Sequence, residues 1–174
     1  MTYYDTSEKL TALLTAATAW HGTPFRENSA IPGPRGGVSC HNLVAAIYVA
    51  TGALPPFAVP RGSARRLLHN PADTIIDFIA ANFPDHFLHI HVPDTPSERL
   101  ADVCAGDLLV FAERKVSKHV AIAIPGAQPH HTLRIAHVLM HSGCTIDSQL
   151  ADPTYLNALV DIWRPLAATP NSKL

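Results

Sequence analysis

The segment from Gly36 to Gly52 places a cysteine where a loop becomes a helix. Gly36 and Gly37 allow a tight bend before it, and Gly52 is a typical helix stop. Between them apolar residues recur on one helical face, namely Leu43, Val44, Ala46, Ile47 and Ala50. Cys40 would then lie in the first turn, where unpaired N–H groups and the helix dipole favour the nucleophilic thiolate. A buried structural cysteine is the alternative that this segment alone leaves open.

The composition indicates one soluble globular domain over residues 1–174, with a frayed tail over 168–174. Of the 174 residues, 47% are hydrophobic and 16% are charged, which suits a compact core. The formal net charge of −1 gives no sign of a basic surface for binding nucleic acid or an anionic membrane. Three cysteines do not make a disulfide framework, so a reducing compartment is expected.

The chain shows neither an export signal nor a membrane span. Its N-terminal apolar patch lacks a basic flank and a cleavage site, and no apolar run reaches the roughly 20 residues of a span. A cytoplasmic protein is expected, with delivery to the cell wall by another route as the alternative.

The order of the predicted elements indicates an α+β fold. Helices are predicted over about 7–20, 40–51 and 62–68, and after Asn70-Pro71 with Ile75, Ile76, Ile79 and Phe83 inward. After Pro84 the apolar residues no longer recur at helical spacing, and short runs with β-branched residues take their place. Strands are predicted over 87–92, 107–111, 118–124, 133–141 and 161–166. Helices followed by an antiparallel sheet are typical of this class.

A nucleophilic cysteine needs a base, and the base needs an orienting partner. His119 begins one predicted strand and His141 ends the next, so antiparallel pairing would bring the two imidazoles together, although the register cannot be read from sequence. Each histidine alone is more often a surface or core residue. His137 lies on the same strand face as His141. The choice of His141 depends on its strand-end position and on the resemblance described next.

Together these segments resemble the NlpC-type cell-wall peptidases, a papain-like family of cysteine hydrolases, and especially the phage tail branch. The family's W-x-G-T-P-[YF]-R loop and G-x-D-C helix start correspond to WHGTPFR at 20–26 and GVSC at 37–40. Its later G-D-[LV]-[LV]-x-F, H-[VA]-[GA]-I and F-I-H-A segments correspond to residues 106–111, 119–122 and 139–142. The motifs keep their order and spacing over about residues 7 to 165.

The resemblance implies a papain-like domain with a small antiparallel sheet and a triad. Cys40 would be the nucleophile, His119 the base and then the acid, and His141 the residue that orients His119. The implied substrate is a peptide or another amide, typically a peptidoglycan stem peptide, and the reaction needs no cofactor and no metal.

Three residues near the cysteine depart from the family pattern or vary within it, and we assign them to substrate binding. Ser39 stands where the family usually has an Asp that holds the substrate's free amino group, and His41 replaces a Ser. Phe25 stands where a Tyr often helps to polarise the scissile carbonyl. The Cys40 N–H remains as an oxyanion donor, with His41 as a second candidate. These departures favour a weak enzyme or an unusual substrate.

Two other functions remain open from the sequence. One is a binding domain that keeps the pocket without activity. The other is a thiol acyltransferase or lipid-processing hydrolase of the same fold.

A metal site is not expected at His86, His89 and His91. Their alternation with Leu88, Ile90 and Val92 favours an ordinary strand with these apolar residues inward.

Overall fold

A computed structural model describes residues 1–59, 74–113, 116–126 and 133–167 of the chain. The helices are α1 (Ser7–Thr18), α2 (Cys40–Ala50), α3 (Thr74–Asn82), α4 (Pro96–Asp102) and α5 (Pro153–Ala158). The strands are β1 (Ala30–Ile31), β2 (Gly37–Val38), β3 (Phe87–Ile90), β4 (Leu108–Glu113), β5 (Val116–Ile124), β6 (Arg134–Leu139), β7 (Gly143–Gln149) and β8 (Leu159–Pro165).

The main sheet has six strands in the order β3-β8-β4-β5-β6-β7, and every neighbouring pair is antiparallel. β1 and β2 form a separate two-stranded ribbon that leads directly into α2. The predicted α+β class is confirmed. β5 lies inside the sheet, between β4 and β6, so its side chains have packed neighbours on both faces.

The first two helices have ordinary end signals in the sequence around them. Thr6 caps α1 by accepting a hydrogen bond from the Lys9 N–H at 3.3 Å, and Leu13 and Ala17 are buried on its inner face. α2 ends at Ala50, and Gly52 follows with φ of +75°, a conformation that glycine adopts without strain.

The two faces of the sheet carry separate hydrophobic cores. On the first face, side chains of α1, α2 and α3 share one core with Val120 and Ile122 of β5. On the second face, Ala121 and Ala123 of the same strand pack with residues from α4 and α5. This alternation is the period of two that a strand imposes on its side chains.

Several element boundaries differ from the sequence predictions. β3 ends at Ile90, and Leu88 is 49% exposed instead of inward, because the neighbouring Phe87 takes the buried position. β6 ends at Leu139, so His141 lies beyond the strand. β7, α4 and α5 were not predicted, although Thr95 and Asp152 cap the two helices and a proline follows each cap.

Three sequence predictions lie outside the described residues: the helix over 62–68, the Asn70-Pro71 cap and the frayed tail over 168–174. None of the helices in the described ranges combines the length and the apolar character that a membrane crossing requires.

Candidate active site

Cys40 is the first residue of α2, as the sequence predicts. Ser39, with extended φ and ψ of −97° and 162°, is the N-cap: its Oγ accepts hydrogen bonds from Asn42 N at 3.5 Å and Asn42 Nδ2 at 2.8 Å. The first intrahelical bond runs from Leu43 N to the Ser39 carbonyl at 2.9 Å. The N–H groups of Cys40 and His41 therefore lie outside the helical hydrogen-bond ladder, at the positive end of the dipole. Cys40 is half-buried and reduced.

The loop between α1 and β1 is hydrogen-bonded to the chain just before Cys40. Arg26 N donates to the Val38 carbonyl at 3.1 Å, and Val38 N donates to the Pro24 carbonyl at 3.0 Å. The Arg26 side chain lies so close to Gly37 that a Cβ at position 37 would be 2.4 Å from it. Glycine is therefore needed there for lack of space, and not because of an unusual φ. Phe25 is half-buried against the first core and bridges to Val38, two residues before Cys40.

The same loop is joined to the start of β7. Gly22 N donates to the Cys144 carbonyl at 2.9 Å, and Cys144 N donates to the Thr23 carbonyl at 2.8 Å. Gly143 has φ of +77°, and a Cβ there would lie 2.5 Å from the Thr23 carbonyl oxygen. The close approach thus requires glycine at position 143. The two hydrogen bonds hold the loop that precedes β1 against the sheet.

Two imidazoles meet across β5 and β6. His119 Nε2 lies 2.9 Å from His137 Nδ1, and the ring centroids are 5.1 Å apart at 70°. His137 is fully buried, at 0% exposure, and His119 is half-buried. Such a bond fixes both rings, because one nitrogen must donate and the other accept.

The hydrogen bonds continue behind His137. Its Nε2 lies 2.8 Å from Ser148 Oγ of β7, and the Tyr155 hydroxyl of α5 donates to the same Oγ at 3.3 Å. The Tyr155 ring stands at 90° to the His137 ring at 5.2 Å, and Phe111 packs against both Tyr155 and His119. We call His119, His137, Ser148 and Tyr155 the imidazole chain.

The strand ladders are irregular around the imidazole chain. The β4–β5 register shifts between Phe111 and Ala112, next to the Phe111–His119 pair. The β6–β7 register shifts between Ile135 and His137, so that Ser148 pairs with Ile135 while Thr145 pairs with His137. Bulges of this kind re-aim side chains, and here they bring Ser148 onto His137.

Burial makes the histidines of this region neutral near pH 7. It lowers the pKa of His119 from 6.5 to about 3, with further lowering by the neighbouring His137 and His41. It also lowers the pKa of His137 and of His41 to about 4. His41, the second residue of α2, also contributes to the low pKa of His119, so the start of α2 lies within electrostatic range of the imidazole pair.

The predicted position of His141 beside His119 is wrong. His141 is exposed in the turn between β6 and β7, and His137 occupies the place beside His119. The physical reason is that β6 leaves the sheet after Leu139, so a residue at the predicted strand end no longer faces β5. A histidine flanked by apolar residues inside a strand, as in Ile135-Ala136-His137-Val138, was the available signal.

Ser148 and Tyr155 were missed because β7 and α5 were not recognised. The alternation of Cys144 and Ile146 with polar neighbours after Gly143 would have indicated β7.

The remaining histidine and cysteine clusters lie elsewhere. His89 pairs with Asp161 and stacks on Trp163 at 4.7 Å, which gives it a protein partner on the edge of the sheet. The described residues contain no group of three His, Cys, Asp or Glu side chains that could hold a metal ion. Cys104 is exposed and Cys144 is buried, and burial raises the pKa of Cys144 to about 12.

Comparison with known proteins identifies the fold. No protein-family model and no curated protein matches the chain. A solved structure from Staphylococcus aureus subsp. aureus Mu50, described as similar to lipoprotein, NLP/P60 family, matches with a TM-score of 0.55 at 18% identity. The match covers 94% of this chain and 43% of that one, so the chain spans less than half of its neighbour's length. The fold is therefore NLP/P60-like, and these comparisons do not support the predicted phage tail branch.

Proposed function

We propose that this protein is a thiol hydrolase that cleaves an amide bond, with Cys40 as nucleophile, His119 as base and His137 as the residue that orients His119. The observation that carries the proposal is the hydrogen bond of 2.9 Å between the half-buried His119 and the buried His137, within electrostatic range of His41 at the start of α2. A base fixed by a second polar group is the arrangement that activates a nucleophile.

The hydrogen bond assigns the two ring nitrogens of His119 to different tasks. Nε2 is engaged with His137, so Nδ1 is the nitrogen that receives the thiol proton. Cys40 Sγ then attacks the carbonyl carbon, and the Cys40 N–H donates to the developing oxyanion. His119 returns the proton to the leaving amine, which departs and leaves a thioester. Water, deprotonated by His119, hydrolyses the thioester and regenerates the thiol.

The low pKa of His119 defines the resting state of this mechanism. An imidazole with a pKa of about 3 is neutral near pH 7 and available to accept a proton. His119 therefore takes the thiol proton as the reaction begins, and the N-terminus of α2 favours the thiolate that forms. The proton-accepting form of His119 persists into mildly acidic solution.

The proposed substrate class is the peptide portion of peptidoglycan. The NLP/P60-like fold supports an amide of this kind, and the proposed substrate contacts are Phe25, which bridges to Val38, and His41, which follows Cys40 in α2. Ser39 offers a hydroxyl that already caps α2 and no carboxylate for an ammonium group. We therefore expect stem peptides with a free first amino group to be poor substrates.

The test is turnover of purified muropeptides, followed by mass spectrometry and by the release of new amino groups. We expect wild type to cleave an internal amide, Cys40→Ala to lose turnover, and His119→Ala to lose about 10²–10⁴-fold in rate. His137→Ala should also be impaired, while His141→Ala, at an exposed turn, is the matched control and should retain activity.

Equal turnover by wild type and Cys40→Ala would overturn the proposal. Tight binding of the same muropeptides without turnover by either protein would identify a binding domain instead.

A further inference from the structure

We propose that Ser148 is a positioning residue that sets the tautomer of His137 and, through it, that of His119. The inference builds on the proposed function, because it concerns how His119 presents its basic nitrogen to Cys40. It depends on two distances: 2.8 Å from Ser148 Oγ to His137 Nε2, and 2.9 Å from His137 Nδ1 to His119 Nε2.

The imidazole chain permits two directions of hydrogen bonding. In the first, His119 Nε2–H donates to His137 Nδ1 and His137 Nε2–H donates to Ser148 Oγ, which leaves His119 Nδ1 bare. In the second, Ser148 donates to His137 Nε2, His137 Nδ1–H donates to His119 Nε2, and His119 Nδ1 carries a hydrogen. Only the first direction leaves His119 able to accept the thiol proton.

Two features favour the first direction. It places the hydrogen of both neutral imidazoles on Nε2, which is the intrinsically preferred tautomer of the histidine side chain. In addition, Ser148 Oγ already accepts a hydrogen bond from the Tyr155 hydroxyl at 3.3 Å, and a hydroxyl oxygen can accept two. Ser148 therefore acts as the acceptor at the end of the chain, with Tyr155 beside it.

The packing around His137 makes its tautomer depend on Ser148. His137 is 0% exposed, so water does not replace a lost partner at its Nε2. The register shift between Ile135 and His137 brings Ser148 to this nitrogen, and the Tyr155 ring closes the other side at 90°. Without the Ser148 hydroxyl, His137 has no fixed acceptor and both tautomers become populated.

The experiment compares Ser148→Ala with Ser148→Thr, which keeps the hydroxyl on a strand. We expect Ser148→Ala to lower kcat by about tenfold to a hundredfold with little change in KM, an effect like that of losing the hydrogen-bond partner of a metal-bound histidine. Ser148→Thr should restore most of the loss. Tyr155→Phe should cost less, because its bond is the longer one. Ser97→Ala, on exposed α4, is the serine control with unchanged kcat.

Nitrogen-15 NMR of the imidazoles gives a readout that does not depend on turnover. In wild type, Nε2 of His137 and of His119 should be protonated and both Nδ1 atoms bare, whereas Ser148→Ala should show averaged shifts. Unchanged shifts and unchanged kcat in Ser148→Ala would overturn the inference, even if Cys40 and His119 prove essential. If Cys40→Ala matches wild type, the proposed function fails, while the nitrogen shifts still decide the role of Ser148. Should Ser148→Ala not fold, Ser148→Cys replaces it with a weaker acceptor of similar size.

Discussion

Ser39 Oγ lies 2.8 Å from Asn42 Nδ2 and also accepts the Asn42 backbone N–H at 3.5 Å. The residue that precedes the proposed nucleophile is thus the cap of α2, and its hydroxyl has a structural partner. Aspartate is an equally good N-cap, so the helix start tolerates either residue. What differs between the two is a negative charge beside Cys40, which bears on the substrates that the site can hold.

We expect Ser39→Asp to improve cleavage of stem peptides with a free N-terminal amine. A carboxylate bonded to an ammonium group contributes about 1.5–3 kcal/mol, or roughly ten- to a hundredfold in binding. Muropeptide turnover by wild type and Ser39→Asp measures this, with Cys40→Ala as the blank and N-acetylated peptides as the matched substrate control. Robust cleavage of free-amine peptides by wild type would contradict the specificity argument, while it would support the enzyme assignment.

Cys40 should react with iodoacetamide before Cys104 and Cys144. Cys144 is 2% exposed and burial raises its pKa to about 12, so little thiolate is present. Cys104 is exposed, but partial burial of its thiol also raises its pKa. Cys40 is half-buried at a helix N-terminus. Limited alkylation followed by mass-spectrometric mapping tests the order, and equal labelling of the three or a protected Cys40 would contradict an activated nucleophile.

The fold should lose stability in acid because of its buried neutral histidines. His137 has a pKa of about 4 in the fold and 6.5 as the reference for the unfolded chain. Between these pH values the unfolded chain binds more protons than the folded chain does. The free energy of unfolding therefore decreases as the pH falls from about 6.5 through about 4. For His137 alone the loss is about 3 kcal/mol once the pH lies below both values.

Urea unfolding at several pH values between about 7 and 4 measures this dependence. His137→Gln removes the titrating group and should flatten the curve, whereas His141→Gln, at an exposed position, should leave it unchanged. An unaltered pH dependence in His137→Gln would rule out His137 as its source.

The half-buried Arg164 and the buried Asp107 form the ion pair that joins β8 to the start of β4. Arg164 Nε and Nη2 donate to the two carboxylate oxygens at 2.9 and 2.8 Å, and Asp107 also accepts the Cys104 N–H at 2.8 Å. The Asp107 side chain is 1% exposed, so removal of Arg164 leaves a buried carboxylate without its cation. We expect Arg164→Ala to destabilise the fold by about 3–5 kcal/mol.

Denaturant unfolding of Arg164→Ala and Lys9→Ala tests the role of burial. Lys9 pairs with Asp5 at a similar distance of 3.1 Å, but with 34% and 25% side-chain exposure, so Lys9→Ala should destabilise the fold far less than Arg164→Ala. Similar losses of unfolding free energy in the two variants would show that the Arg164–Asp107 pair is no stronger than an ion pair at the surface.

The local elements of the site were predictable because their signals are local. Gly36 and Gly37, the apolar face of α2 and the glycine at position 52 define a helix that begins at Cys40 without reference to the rest of the chain. The strand that begins near His119 follows from alternation in the same way. These features depend on residues within one or two turns of each other.

The choice between His137 and His141 needed the tertiary structure. The two residues lie four apart on one predicted strand, and alternation places both on the same face. Which one meets His119 depends on the β5–β6 register, on the end of β6 at Leu139 and on the shift near Ile135. A register is set by contacts between segments far apart in sequence and by the cores on both faces, and no local pattern records it. The sequence by itself therefore determined the proposed nucleophile and its helix, and only the packed sheet decided which imidazole, and which serine behind it, stands beside the base.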